Sequence, residues 1–214
     1  MIKRIVGAMI LTAGILTMMA VRASAQSEPT VTHRAVIKTN AGDIDVELYG
    51  DDAPKAVKNF VDLAAKGFYR GLRFHRVVPN FVIQTGDPNS VDTTKKDSWG
   101  RGGESIYGKP FEDELNPNAP SYKRGYIEGT LAMANRGPNT NTSQFFIVLS
   151  NTTKLQQLYT IFGKVVIDTA NKSMAVAHAI EHGAIADPRR GLPAVPVIIT
   201  DIVVTPVATR KPGQ

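Results

Sequence analysis

Phe74-His75-Arg76-Val77-Val78-Pro79-Asn80-Phe81-Val82-Ile83-Gln84-Thr85-Gly86-Asp87 contains two apolar stretches, Arg73 to Val78 and Phe81 to Thr85, hinged on a Pro79-Asn80 turn. Apolar runs this short, bounded by a turn and by glycine, read as paired strands. Two polar side chains interrupt them. Arg76 carries a planar, permanently charged guanidinium with five fixed donors, suited to a carbonyl or amide on a half-dry surface. The same pattern also fits an ordinary salt bridge on a sheet surface. Gln84, in the second stretch, is placed to orient Arg76.

Outward from this pair the chain continues in short strands. A Gly-rich loop runs from Gly86 to Gly108, long enough to suggest function. Upstream, an alternating run from Val31 to Thr39, a turn at Asn40-Ala41-Gly42 and a run from Ile44 to Tyr49 predict a hairpin. A helix follows, with Asp51 or Asp52 as cap, Pro54 in its first turn, Val57, Phe60, Val61 and Ala64 on one face, and Gly67 at its end. Downstream, strands are predicted at Thr130 to Ala134, Phe145 to Leu149, Thr160 to Val166 and Val197 to Val204, with a second helix from Lys172 to Glu181. Many short strands and two helices, without regular alternation, predict one mainly β domain: an antiparallel barrel or sandwich with accessory helices.

Period two divides the strand at Phe145. Phe145, Ile147 and Leu149 share one face and Phe146 with Val148 the other, while Leu131 and Met133 alternate with Ala132 and Ala134. If the first set feeds the core, Phe146 and the small alanines outline a shallow apolar groove. A second core layer under a helix or loop satisfies the pattern equally well.

The composition narrows the functional classes. The chain has 214 residues, 43% hydrophobic and 21% charged, with net charge +6 and no cysteine. That excludes a disulfide framework, a thiolate metal site and a cysteine nucleophile. No clustered basic stretch points to nucleic acid. Lys3 and Arg4 precede an apolar run from Ile5 to Val21, and Ala23-Ser24-Ala25 forms a small-x-small site, so residues 1–25 read as a cleaved secretory signal. Residues 26–34 are then an N-terminal extension, 35–206 the folded domain and 207–214 a flexible tail. A periplasmic or secreted location is expected, with no membrane attachment after cleavage. His178-Ala179-Ile180-Glu181-His182 spells the H-x-x-E-H of one zinc-peptidase class. That class needs a further ligand, usually Glu, downstream; no Glu follows Glu181, so no metal site is expected.

Three blocks carry a family resemblance: Phe74 through Asp87; Gly102-Gly103-Glu104-Ser105-Ile106-Tyr107-Gly108; and Leu131 through Ile147, which includes Met133-Ala134-Asn135-Arg136-Gly137-Pro138-Asn139-Thr140-Asn141 and Ser143-Gln144-Phe145-Phe146-Ile147. Together with Phe162-Gly163-Lys164-Val165 they resemble the cyclophilin-type peptidyl-prolyl cis-trans isomerases, over about Ala35 to Val204. With the leader, the chain is similar to an exported bacterial-type member.

The resemblance implies a closed eight-stranded antiparallel β-barrel capped by two α-helices. It makes Arg76 the catalytic donor, with Gln84 holding it and the substrate backbone, and His75 beside it. Phe81, Val82, Phe146, Leu155 and Tyr159 become the walls of a proline pocket, and Ala134, Asn135 and Gln144 line the groove, Asn135 through its backbone. No cofactor is implied. The expected partners are proline-containing peptides and unfolded exported proteins, and the protein is expected to be a monomer. Lys154 stands where tryptophan is frequent, which counts against cyclosporin binding because the rim loses an aromatic wall and an indole donor. The rival reading from another class is a chaperone module that grips proline segments without turning them over.

Overall fold

The computed structural model describes residues 27–167 and 172–208. The predicted leader, residues 1–25, and most of the predicted tail lie outside them. In chain order the elements are strands β1 (His33–Thr39) and β2 (Gly42–Leu48), helix α1 (Pro54–Ala65), strands β3 (Arg76–Val78) and β4 (Val82–Thr85), and a short helix α2 (Pro120–Arg124). Then follow β5 (Thr130–Met133), β6 (Phe145–Val148), β7 (Ile161–Val165), α3 (Ser173–Glu181), β8 (Ile185–Asp187), β9 (Leu192–Pro193) and β10 (Ile199–Pro206).

Eight strands form one antiparallel sheet in the order β10-β1-β2-β7-β5-β6-β4-β3, and β8 pairs with β9 separately. The sheet is an open half-barrel, not the closed barrel expected. The segments just before its two outer strands meet in an isolated bridge, Arg73 to Ile198, with bonds such as Phe74 N–H to the Val197 carbonyl at 3.0 Å. The Arg73 backbone faces away from this bridge: its N–H donates to Ser90 Oγ and its carbonyl accepts from Thr85 Oγ1, both at 3.0 Å. The turn before β9 covers part of the β3 edge, with the Val77 N–H donating to the Gly191 carbonyl at 2.7 Å.

α1 forms as its apolar face predicts, burying Val57, Phe60 and Ala64 against the sheet, but its start differs from the reading. No side chain caps Ala53; instead the Glu114 carboxylate accepts from the N–H groups of Lys55 and Ala56, at 2.9 and 3.0 Å. Asp52 accepts from the Ser121 N–H at 2.8 Å and so serves α2, the third helix that the sequence reading did not find. The far end is as expected. Gly67, at φ 69°, lets its N–H reach the Ala64 carbonyl and that of Phe68 reach Leu63, closing the helix.

The main core lies inside the curved sheet, where Phe60, Tyr69, Phe145 and Phe162 pack with ring centroids 5.4 to 6.1 Å apart. Ile147, Leu149, Leu131 and Met133 join them, as period two predicts. A second apolar cluster gathers Val82, Ala132, Phe146 and Val148 on the other face.

The loop after β4 is ordered, not open. Its centre is the fully buried Asp87, whose carboxylate accepts from the N–H groups of Asn89 and Gly100. Trp99 is tucked in, its indole donating to the Asp92 carbonyl at 3.0 Å. At Gly86 glycine is obligatory: φ is 89° and a Cβ would lie 2.2 Å from the Ser143 carbonyl oxygen.

Candidate active site

Cross-strand register builds the site. Arg76 on β3 stands opposite Gln84 on β4, Gln84 opposite Phe146 on β6, and Phe146 opposite Ala132 on β5. Directly opposed residues of antiparallel strands project from the same face. These four side chains therefore form one row across four strands, on the face turned away from the main core. Val82 and Val148, two residues along, form the next row.

Around this surface Phe81, Val82, Phe146, Leu155 and Tyr159 enclose a cavity of about 350 Å³, with Ala134 also lining it. Phe146 meets Tyr159 edge-on, with centroids 5.5 Å apart and planes at 85°. Tyr159 is fixed by a residue the sequence reading missed. The Tyr126 hydroxyl donates to the Tyr159 carbonyl at 2.9 Å and accepts from its N–H at 3.0 Å. Burial pushes the Tyr126 phenol up to about 12, so it remains a donor at neutral pH.

Arg76, Gln84, Asn135 and the exposed Lys154 supply the cavity's polar groups. The half-buried Arg76 guanidinium has no hydrogen-bond or ion-pair partner among the described residues. Burial lowers its pKa, yet a guanidinium stays charged in proteins. Gln84 does not hold it: the Gln84 amide donates to Gln144 Oε1 at 2.8 Å. Gln144 in turn donates to the carbonyls of Gly100 and Gly102, at 3.2 and 2.6 Å. Gln144 lines a neighbouring cavity of about 320 Å³, which shares Gln84, Ala134 and Asn135 with the first. The Asn135 side chain is engaged in structure, donating to the Leu158 carbonyl at 2.8 Å. Asp113 braces this segment through Asn141 Nδ2, 2.7 Å, and the Asn139 N–H, 2.8 Å.

His75 is not brought into the proline-sized cavity. It lies behind Arg76, 4% exposed, beside Trp99 and Gly100, with neither ring nitrogen partnered among the described residues. Burial pushes its pKa down to about 4 against the pull of Asp87, so the ring is neutral at pH 7.

The H-x-x-E-H run has a structural use. His178 Nδ1 lies 2.6 Å from Glu181 Oε2 and its Nε2 2.9 Å from Glu128 Oε1. The buried Glu181 carboxylate accepts from the Asn80 N–H, in the turn that leads into Phe81. This is a bridged helix end. Among the described residues no group of His, Cys, Asp or Glu could hold a metal, and no helix is long and apolar enough to cross a membrane.

The profile of the family described as "Cyclophilin type peptidyl-prolyl cis-trans isomerase/CLD" matches residues 34–204. The "Spliceosome-associated protein CWC27 homolog" of Danio rerio is 45% identical over 150 residues, 70% of this chain and 29% of that protein. The "Peptidyl-prolyl cis-trans isomerase-like 1" of Aspergillus fumigatus is 48% identical over 130 residues, 61% of this chain and 73% of that one. Among solved structures, a cyclophilin type peptidyl-prolyl cis-trans isomerase of Cryptosporidium parvum superposes with a TM-score of 0.68 at 37% identity, covering 82% of this chain and 98% of its own. The chain thus spans under a third of the length of the CWC27 relative and most of the others.

These relatives correct one group of expectations. They are eukaryotic, and those with the longest matches are named as spliceosome-associated, which overturns the exported bacterial-type assignment and the periplasmic or secreted location. Exported proteins as clients fall with it. The matched span, the half-barrel with its flanking helices and the named relatives agree on one conclusion: the chain belongs to the cyclophilin-type peptidyl-prolyl cis-trans isomerase family and is an isomerase of that class.

Proposed function

We propose that Arg76 carries the isomerisation, by donating to the prolyl nitrogen while the X-Pro bond twists. Rotation about a peptide bond faces a barrier of about 18–20 kcal/mol because resonance is lost. In the twisted state the nitrogen is pyramidal with a localised lone pair, so a donor aimed there stabilises the transition state more than the planar ground state. The observation that carries the reading is the row Arg76-Gln84-Phe146, which sets an unpartnered guanidinium in the same cavity as the apolar side chains of Phe81, Val82, Phe146 and Leu155. Phe81, Val82, Phe146, Leu155 and Tyr159 hold the ring. Gln84, aligned by Gln144, and the Asn135 backbone anchor the flanking peptide, and the carbonyl before proline swings. His75 supports Arg76 from behind and transfers no proton.

The names of the spliceosome-associated CWC27 homologs of Danio rerio and Xenopus laevis favour clients that are proline-containing segments of a spliceosomal assembly. NMR measurement of cis–trans exchange in an X-Pro peptide tests the mechanism. Arg76→Ala is expected to keep the wild-type circular dichroism and lose about tenfold or more in exchange rate. Unchanged exchange would defeat the role of Arg76. Binding without exchange in the wild type would instead favour the non-catalytic module.

A further inference from the structure

Three cavities meet at Gln84: the proline-sized one, the neighbouring one toward Gly102, and a third of about 140 Å³ behind Arg76. Their walls carry Arg76, Arg101, Arg136, Arg190 and Lys154, and no aspartate or glutamate. Arg190 is neutralised by Asp97 at 3.0 Å, and Arg136 rests on the Gly100 and Gly102 carbonyls at 3.1 and 3.4 Å. Carbonyls leave the Arg136 charge uncompensated. Arg76, Arg101, Arg136 and Lys154 therefore face the groove without an ion pair among the described residues. Away from it, Arg34, Arg70 and Arg124 each meet a carboxylate. Of the nearby acids, Asp87 is buried on backbone N–H groups, Asp113 is held by the asparagines beneath the groove, and the exposed Glu104 follows Gly103 at the edge of the second cavity without lining any of the three.

We infer that this face selects proline segments whose neighbouring residues carry anionic side chains. The inference rests on the isomerase reading of the same groove. A carboxylate or phosphate next to the X-Pro unit meets guanidinium groups without ion pairs and no acid in the cavity walls, whereas a lysine there meets like charge. Rim charges of this kind act through encounter and orientation and are screened by salt.

The test uses six-residue peptides with one Ala-Pro bond, flanked on both sides by Glu, phosphoserine, Gln or Lys. Exchange rate and binding are read separately by NMR. At low salt the Glu peptide is expected to exceed the Gln peptide by about fivefold in kcat/KM, with the Lys peptide below both. The gap should shrink in about 0.5 M salt. Arg101→Gln should narrow it, and Lys38→Gln, on the distant β1, should not. A preference for phosphoserine with Glu equal to Gln would assign the anion to a phosphate. Equal handling of Glu, phosphoserine and Gln would overturn the inference, as would a loss of preference in Lys38→Gln equal to that in Arg101→Gln. Should no peptide be turned over, the isomerase reading falls, and the binding series alone still decides the charge preference.

Discussion

Phe145 and Phe146 are neighbours in sequence, and their truncation should separate stability from activity. Phe145 is 1% exposed, with its ring among those of Phe60, Tyr69 and Phe162. Removing it leaves a closed void in the main core, at a cost of about 3–5 kcal/mol. For a domain of this size each kcal/mol lowers Tm by about 2–4 °C, so Phe145→Ala should melt about 6–20 °C early. Phe146 is also shielded, at 4% exposure, but its ring borders the open proline-sized cavity. Water can fill the space left by its truncation, so the stability loss should be less than half as large. The substrate, however, loses a wall. Burying a ring of prolyl size yields about 1.5–3 kcal/mol, and losing roughly half of that lowers kcat/KM by about 3- to 12-fold. Thermal melting and peptide exchange on both variants provide the measurements. If Phe146→Ala is the less stable protein, or if folded Phe145→Ala loses the greater share of activity, the division of labour between the two faces is wrong.

His75 should make the fold acid-sensitive. Its folded pKa of about 4 lies below the ordinary 6.5, so the unfolded chain binds the extra proton and stability declines as pH falls from about 6.5 to 4, by up to about 3 kcal/mol; melting of His75→Gln across this window should be flatter. His178 has the opposite sign: Glu181 and Glu128 raise its pKa, so its contribution is complete below the ordinary imidazole value and fades as pH rises through the raised one. Glu181→Ala, which strips the acceptor from the Asn80 N–H, should cost about 1–3 kcal/mol and raise KM for an X-Pro peptide, because the Phe81 turn loosens; an unchanged KM would remove Glu181 from the positioning of the pocket. Lys154→Trp should tighten cyclosporin inhibition with little change in kcat/KM, and a wild type already as sensitive would show that this rim residue does not set the affinity.

Local patterns were legible in the sequence wherever periodicity reports a face. The alternation at Phe145 divides the two apolar clusters, and the spacing of Val57, Phe60 and Ala64 places α1. Contacts between distant residues were not. Glu114 caps a helix 59 positions away, Tyr126 holds Tyr159 across 33, and Gln84 finds Gln144 across 60, with no local signal for any of these. Periodicity also does not tell whether β3 and β10 pair: an isolated bridge, Arg73 to Ile198, links the segments before them. The leader suggested a compartment, and only comparison with related chains could overrule it.

Strand β1 lies between β2, its immediate successor, and β10, with His33 opposite Pro206 and Thr39 opposite Ile199. During synthesis its first edge is satisfied almost at once and its second waits for about 160 further residues, or roughly 8–32 s at ribosomal speeds of about 5–20 residues per second. Through that interval the nascent sheet presents an unpaired apolar ribbon to other chains, the condition under which edge-to-edge aggregation starts. A transcript truncated before Ile199 should therefore yield insoluble protein even though every residue of the proposed proline pocket has already been made.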